Sequence, residues 1–308
     1  MGISIFITGI SGYLGQVLAE QLAMMPEIDR ITGIDVSKPR FGLPSKVRYV
    51  QKDIRAADLA NMIAGYDVVI HTAFIVLWPS KLSETDRDDI NINGTRNVAK
   101  AALARGVNKF LQLSSQAAYD PQIIHGQMNV TEDFPLGEGN SGFYYWDNKA
   151  VLERDLNQIF QSSSVKLTIF RPSYVIGQRN TTTVDGWRKN AANILGHVMN
   201  AQFIHEDDMA EAFALAIRSD MPGAFNVVPD DVIGMRRFFE LIGKKHVPIV
   251  PFSVARLVML LRWRYLGSLE HPSWLDSALL DFKISNAQLK SFGWNPRYNC
   301  EGAIRTAL

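Results

Sequence analysis

The sequence predicts an α/β fold: a doubly wound parallel sheet with a smaller C-terminal lobe. Three observations predict it. Short apolar runs alternate with helix-length amphipathic segments through the first 172 residues. The first run breaks into glycines spaced G-x-x-G-x-x-G and passes straight into a helical pattern. The fourth run, residues 66–71, is apolar almost throughout, as a parallel strand covered on both faces requires.

Taken in order, Ile3-Ser4-Ile5-Phe6-Ile7-Thr8 reads as a strand and Gly9-Ile10-Ser11-Gly12-Tyr13-Leu14-Gly15 as a tight turn. The helix runs over 16–25, with Val17, Leu18, Leu22 and Met25 as its apolar positions. Gly9 permits the sharp turn, Gly12 leaves room for a pyrophosphate and Gly15 allows close helix–strand packing. The helix N-terminus then offers free N–H groups to phosphate. The second strand, 30–36, carries Asp35, 20 residues after Gly15, where a carboxylate can accept from ribose hydroxyls. The chain therefore reads as dinucleotide-binding.

Strands follow at 47–50, 66–71, 110–115 and 165–170, with helices over 56–64, 91–105 and 143–161, the last capped by Asn140 or Ser141. Residues 173–197 show no clear period. A helix over 207–219, a strand over 223–228, a helix over 235–243 and a final short helix at 303–304 complete the pattern. This places a dinucleotide-binding domain at 1–172, with 203–230 returning to it, and a substrate-binding lobe at 173–202 and 231–308. Residues 253–265 are apolar but hold Arg256, Arg262 and Arg264. They are too short and charged to span a bilayer, and read as a core or subunit-interface helix rather than a membrane-surface one.

Composition narrows the class. A net charge of +1 gives no footprint for nucleic acid. The single cysteine, Cys300, excludes an internal disulfide framework. No cleavable signal pattern opens the chain, so a cytoplasmic protein without a membrane partner is expected. No His, Cys, Asp or Glu cluster has metal-ligand spacing.

Tyr145 and Lys149 stand four apart on one helix face. A free phenol titrates near 10, so stabilising its phenolate by three units takes about 4 kcal/mol. A lysine ammonium and a bound oxidised nicotinamide can supply that positive charge. Ser115, at the end of the fifth strand, lies on the same sheet edge as the glycine turn and can hold a substrate oxygen.

These residues carry a resemblance. The chain resembles the extended short-chain dehydrogenase/reductases, the NAD-dependent epimerase/dehydratase family. The match runs through Thr8-Gly9-x-x-Gly12-x-x-Gly15, Asp35, Asp53-Ile54, His71-Thr72-Ala73 and Asn91-Ile92-Asn93-Gly94-Thr95-Arg96-Asn97. It continues through Ser114-Ser115-Gln116-Ala117-Ala118-Tyr119, Tyr145-x-x-x-Lys149, Arg171-Pro172-Ser173, His205-Glu206-Asp207-Asp208 and Gly293-Trp294-Asn295-Pro296. The resemblance implies a Rossmann domain and a homodimer packed through 91–105 and 143–161. It makes Ser115, Tyr145 and Lys149 catalytic, with Tyr145 as acid/base. It assigns dinucleotide contacts to Gly9, Ser11, Gly12, Tyr13, Leu14, Gly15, Asp35, Asp53, Ile54, Ala73, Asn91, Tyr145, Lys149, Arg171 and Pro172. Asp35 favours NAD, because a carboxylate repels a 2′-phosphate; Lys38 and Arg40 leave NADP open. His71 and His205 match structural positions of the family.

Two departures bear on substrate. Gln116 and Ala117 stand where dehydratases of this type carry Asp-Glu, which argues against sugar dehydration. Only residues 173–204 span the gap in which nucleotide-sugar epimerases carry a longer insert; Arg179, Arg188 and Lys189 are its cations, read as a solvated loop in preference to a phosphate grip. The loop after the fourth strand is apolar, Phe74 to Pro79. Phe74, Trp78, Gln116 and Tyr174 are the substrate-facing candidates, and the apolar ones serve equally as lobe packing. The leading reading is a hydride transfer between nicotinamide and a small carbonyl or alcohol. The alternatives are a sugar or nucleotide-sugar epimerase that retains NAD, and a non-catalytic dinucleotide-sensing regulator.

Overall fold

The structure, a computed structural model, describes residues 2–190, 192–197, 199–244 and 246–308. Seven parallel strands form one sheet. They are β1 (Ile3–Thr8), β2 (Ile28–Asp35), β3 (Val47–Gln51), β4 (Val68–His71), β5 (Lys109–Leu113), β6 (Lys166–Pro172) and a late strand, Gly223–Val227. Their order places the late strand at one edge, then β6, β5, β4, β1, β2 and β3. The chain runs outward from β1 through β2 to β3, then crosses back to β4 on the other side of β1. The crevice between β1 and β4, where Thr8 pairs with His71, is the topological switch point at which such sheets bind ligands.

Helices α1 (Tyr13–Ala23), α2 (Leu59–Ile63), α3 (Glu84–Asp88), α4 (Gly94–Arg105), α5 (Pro121–Ile124) and α6 (Tyr144–Phe160) lie in the first 172 residues. Strand β1 shows why both faces are covered. Ile5 and Ile7 point into a core with Val17, Leu18 and Leu22, whereas Phe6 enters a second core with Val98, Phe110 and Leu156. A strand with alternate residues in two cores must be apolar throughout.

After β6 the chain forms β7 (Tyr174–Ile176), α7 (Thr181–Asn190), β8 (Asn193–Ile194), β9 (Asn200–Ala201) and β10 (Phe203–His205). Helix α8 (Glu206–Arg218) packs its Met209 and Phe213 into the first core, and the late strand, β11, pairs in parallel with β6. Then come β12 (Ile233–Gly234), α9 (Met235–Leu241), β13 (Ile249–Val250), α10 (Phe252–Tyr265), a 3-10 segment Pro272–Leu279, α11 (Ala287–Ser291) and α12 (Cys300–Thr306). Phe203, Phe238, Val184, Cys300 and Ile304 gather this lobe around a third core.

Four expectations change. Residues 173–197 are not irregular: they hold β7, α7 and β8, and α7 lacked a visible period because Val184 and Trp187 are its only large apolar positions. The helix expected from residue 91 is preceded by a π-turn, Asp89–Asn93, that continues α3 back to its Ser83 cap. Neither Asn140 nor Ser141 caps α6. Instead Asp147 reaches back and accepts from Ser141 N at 2.8 Å and Gly142 N at 3.1 Å, which holds the entering turn. Finally, α10 is not a core helix, because Trp263 alone among its residues is buried.

Candidate active site

The glycine turn sits at the C-terminal end of β1. Gly9 has φ +77°, and a Cβ there would lie 2.5 Å from Ala73 N, so β1 and the loop after β4 approach backbone to backbone. A Cβ on Gly15 would lie 2.1 Å from Gly9 O. No larger side chain fits either contact. Gly12 is exposed, and α1 begins immediately after it with no acidic residue in its first turn. The positive end of the helix therefore faces the crevice with no acidic side chain of its own first turn to neutralise it. Asp35, ending β2, accepts from Ser11 N at 3.1 Å and Ser37 N at 3.0 Å, fixing its carboxylate over the turn. This cradle fits a pyrophosphate at Gly12 and a ribose at Asp35.

Across the switch point, β5 ends at Leu113 and Ser115 begins the next turn, its Oγ accepting from Ala117 N at 3.2 Å. Tyr145 is half-buried, with Ser115 beside its hydroxyl. One helical turn on, the buried Lys149 donates to Leu113 O at 3.1 Å and lies 3.9 Å above the Phe74 ring. Ser115, Tyr145 and Lys149 are thus brought together on the edge that carries the glycine turn. Burial pushes the Tyr145 hydroxyl up to about 12, against the pull of Ser115. Burial pushes Lys149 down to about 7, opposed by the Glu153 carboxylate below it.

Several residues expected at the cofactor or substrate also make contacts within the chain. Arg171 is buried and clamps Glu153, Nη2 to Oε2 at 2.7 Å, while Nη1 donates to Glu132 O. Its guanidinium joins β6 to α6; Pro172 beside it pairs with Val227 inside the sheet. Asn91 grips the Ile75 backbone through both amide atoms, at 2.7 and 3.2 Å, so it shapes the loop bearing Ala73 and Phe74. Tyr13 donates to Glu206 at 2.5 Å, tying α1 to α8, and Leu14 packs on the first core. Asp53 pairs with Arg55 at 2.7 Å, which holds its carboxyl below the usual range, and Ile54 fills the space under Gly94. Arg179 pairs with Glu20 and Glu206, so it is not a loose solvated cation.

Of the substrate candidates, Phe74 meets Tyr145 edge-on at 5.7 Å. Gln116 and Tyr174 line a small cavity of about 20 Å³ with Trp146, Gln202, Ser277 and Phe282; none of its described lining residues is charged. Trp78 does not face it. That ring is buried between Trp263, Tyr144 and the Arg87 guanidinium, the last 4.0 Å from its centre. Sequence reasoning missed Trp274, tilted against Tyr145 at 5.0 Å and donating to the Tyr144 hydroxyl at 3.1 Å, and Ser277, which lines the same cavity as Tyr174 and donates to Trp274 O at 2.7 Å. Both come from an aperiodic segment more than 100 residues further along the chain, where no local signal exists. Among the described residues no group of three His, Cys, Asp or Glu is placed to hold a metal. His71 is buried between Thr8 and Thr95, and His205 caps α8 while stacking on Tyr298.

A model of the NAD dependent epimerase/dehydratase family matches residues 5–227. The chain belongs to that family. It is an NAD-dependent enzyme of the extended short-chain dehydrogenase/reductase type, the type its motifs resemble. An uncharacterized protein of Sinorhizobium fredii, y4nG, is 26% identical over 95% of this chain and 74% of its own length. A 3 beta-hydroxysteroid dehydrogenase/Delta 5-->4-isomerase of Monkeypox virus is 23% identical over 65% of this chain and 60% of its own. In fold, the chain is similar to UDP-glucuronic acid 4-epimerase from Bacillus cereus in complex with NAD. That likeness has a TM-score of 0.77 and 16% identity, over 99% of this chain and 97% of that one.

Proposed function

We propose that the protein is an oxidoreductase that uses NAD to interconvert a small uncharged carbonyl compound and its alcohol. The observation that supports it is the meeting of Ser115, Tyr145 and Lys149 beside the glycine cradle. NAD, when bound, supplies the two-electron acceptor or donor. The chain supplies the proton chemistry and the orientation. With its hydroxyl near 12, Tyr145 is protonated at neutral pH and serves the reductive direction as the acid, donating to the forming alkoxide. Ser115 offers a second hydroxyl to the same oxygen. Lys149 lies with its ammonium nitrogen 5.8 Å from the Tyr145 ring centre, near enough for its charged form to favour the phenolate in the oxidative direction. Phe74 and Trp274 flank Tyr145 and exclude water from its ring. The cradle side favours NAD over NADP through Asp35, whose carboxylate would meet a 2′-phosphate.

The small cavity that Gln116 and Tyr174 line has no charged residue among its described lining, which supports an uncharged substrate over a diphosphate. The decisive experiment follows NADH and product together on a panel of neutral carbonyls and alcohols, with wild type and Tyr145→Phe. Net NADH change equal to product, falling at least a hundredfold in Tyr145→Phe while NAD still binds, is expected. Full turnover by Tyr145→Phe overturns the catalytic assignment. A stereoisomer formed with no net NADH, and NAD released from the purified protein only on denaturation, replaces the oxidoreductase reading with the epimerase one.

A further inference from the structure

Helix α10 presents a face that nothing in the chain covers. Val254, Leu257, Val258, Leu261 and Tyr265 recur at helical spacing as one stripe, and all are exposed. Leu260, Leu266 and Leu269 enlarge it, with Tyr265 75% and Leu266 77% exposed. The opposite side of the helix is pinned. Trp263 donates to Trp78 O at 2.7 Å and packs edge-on against His271, and Arg256 pairs with Asp276 at 2.9 Å. The stripe is therefore fixed in an outward orientation.

Charge indicates what covers it. Residues 241–269 hold five of the 32 Lys and Arg of the chain and none of its 31 Asp and Glu. Within α10, Arg262 and Arg264 fall on opposite flanks of the stripe by helical spacing. An apolar strip edged by arginines matches the surface of an anionic bilayer, with leucines at the acyl boundary and guanidinium groups among the phosphates. At 14 residues the helix is about 21 Å long, so it lies in such a surface and does not cross it. A second copy fits less well. A two-fold contact would set the exposed Arg264 of each copy against the other's, and α10 itself holds no Asp or Glu.

We infer that α10 docks the protein on anionic lipid, with its apolar stripe buried in the headgroup region. Val76 and Leu77, in the loop that Trp78 ties to α10, are also exposed.

The test is flotation of the full chain with phosphatidylcholine vesicles, with and without phosphatidylglycerol, at low and high salt. Binding is expected only with phosphatidylglycerol, weakened by salt. Arg264→Gln should bind about fivefold more weakly, and Leu257→Glu/Leu261→Glu should not float. Both variants change exposed side chains, and circular dichroism checks that they fold. Failure of the wild type to float, or equal binding by the folded double variant, overturns the inference. So does a dimer, by light scattering, that the double variant dissolves, since the face then belongs to a second copy. NAD binding and Tyr145-dependent turnover are separate readouts and fail independently of flotation.

Discussion

At the residue scale, Lys149 shows what the site costs the fold. Its ordinary titration near 10.5 falls to about 7 in the folded chain, because its amine is buried beside Phe74. Between those values the unfolded chain holds more protons than the folded one, so stability rises with pH across that window. Below it the full penalty applies, at most about 5 kcal/mol. Lys149→Met should therefore be more stable than wild type at pH 6.5 by denaturant unfolding, while losing turnover. A variant no more stable would show that the folded amine keeps its solvation. The lysine itself was legible in the sequence, because helical spacing fixes which residues share a face with Tyr145. Its altered acidity was not, because that depends on Phe74 and Leu113 from two other strand ends.

At the element scale, the Arg171–Glu153 clamp fastens β6 to α6, and the Ser114 hydroxyl donates to the same carboxylate at 2.5 Å. Truncating one member of a buried pair leaves the other charge unanswered. Arg171→Leu should cost about 3–5 kcal/mol in chemical denaturation. Its affinity for NAD by calorimetry should stay within about twofold of wild type, since the guanidinium is taken up by Glu153 and the Glu132 carbonyl. A large loss of affinity in a folded variant would return Arg171 to the cofactor site. The motif position of Arg171 was visible; its partner was not, because Glu153 is one acidic residue among several on α6. Strands and long helices were readable from periodicity. The segment 272–282 was not, since a 3-10 run carries no face pattern over so few residues. The exposure of α10 was unreadable for a different reason: an apolar helix on a surface and one in a core have the same composition.

At the scale of the whole molecule, His71 links the sheet to the helix layer. It is fully buried, with Nδ1 against the Thr8 hydroxyl on β1 and Nε2 2.9 Å from the Thr95 hydroxyl on α4. Desolvation, with the nearby Lys149 charge, lowers its titration to about 3. The unfolded chain takes up a proton near 6.5, so the contribution is complete above that pH and is lost as pH falls toward 3. Global stability should decline by at most about 5 kcal/mol across that range, and His71→Asn should flatten the decline. Equilibrium unfolding at several pH values measures both, and an equally steep profile in the variant assigns acid sensitivity to other groups.

The return of β11 to the sheet has a consequence for synthesis. Until residues 223–227 leave the ribosome, β6 presents an unpaired edge, and the first core lacks Met209 and Phe213 from α8. The nascent chain must carry this open strand while the whole excursion from Tyr174 to Asp220 is made. Folding of the cofactor-binding half is thereby coupled to translation of part of the lobe, and this stretch is where a chaperone would find the chain most exposed.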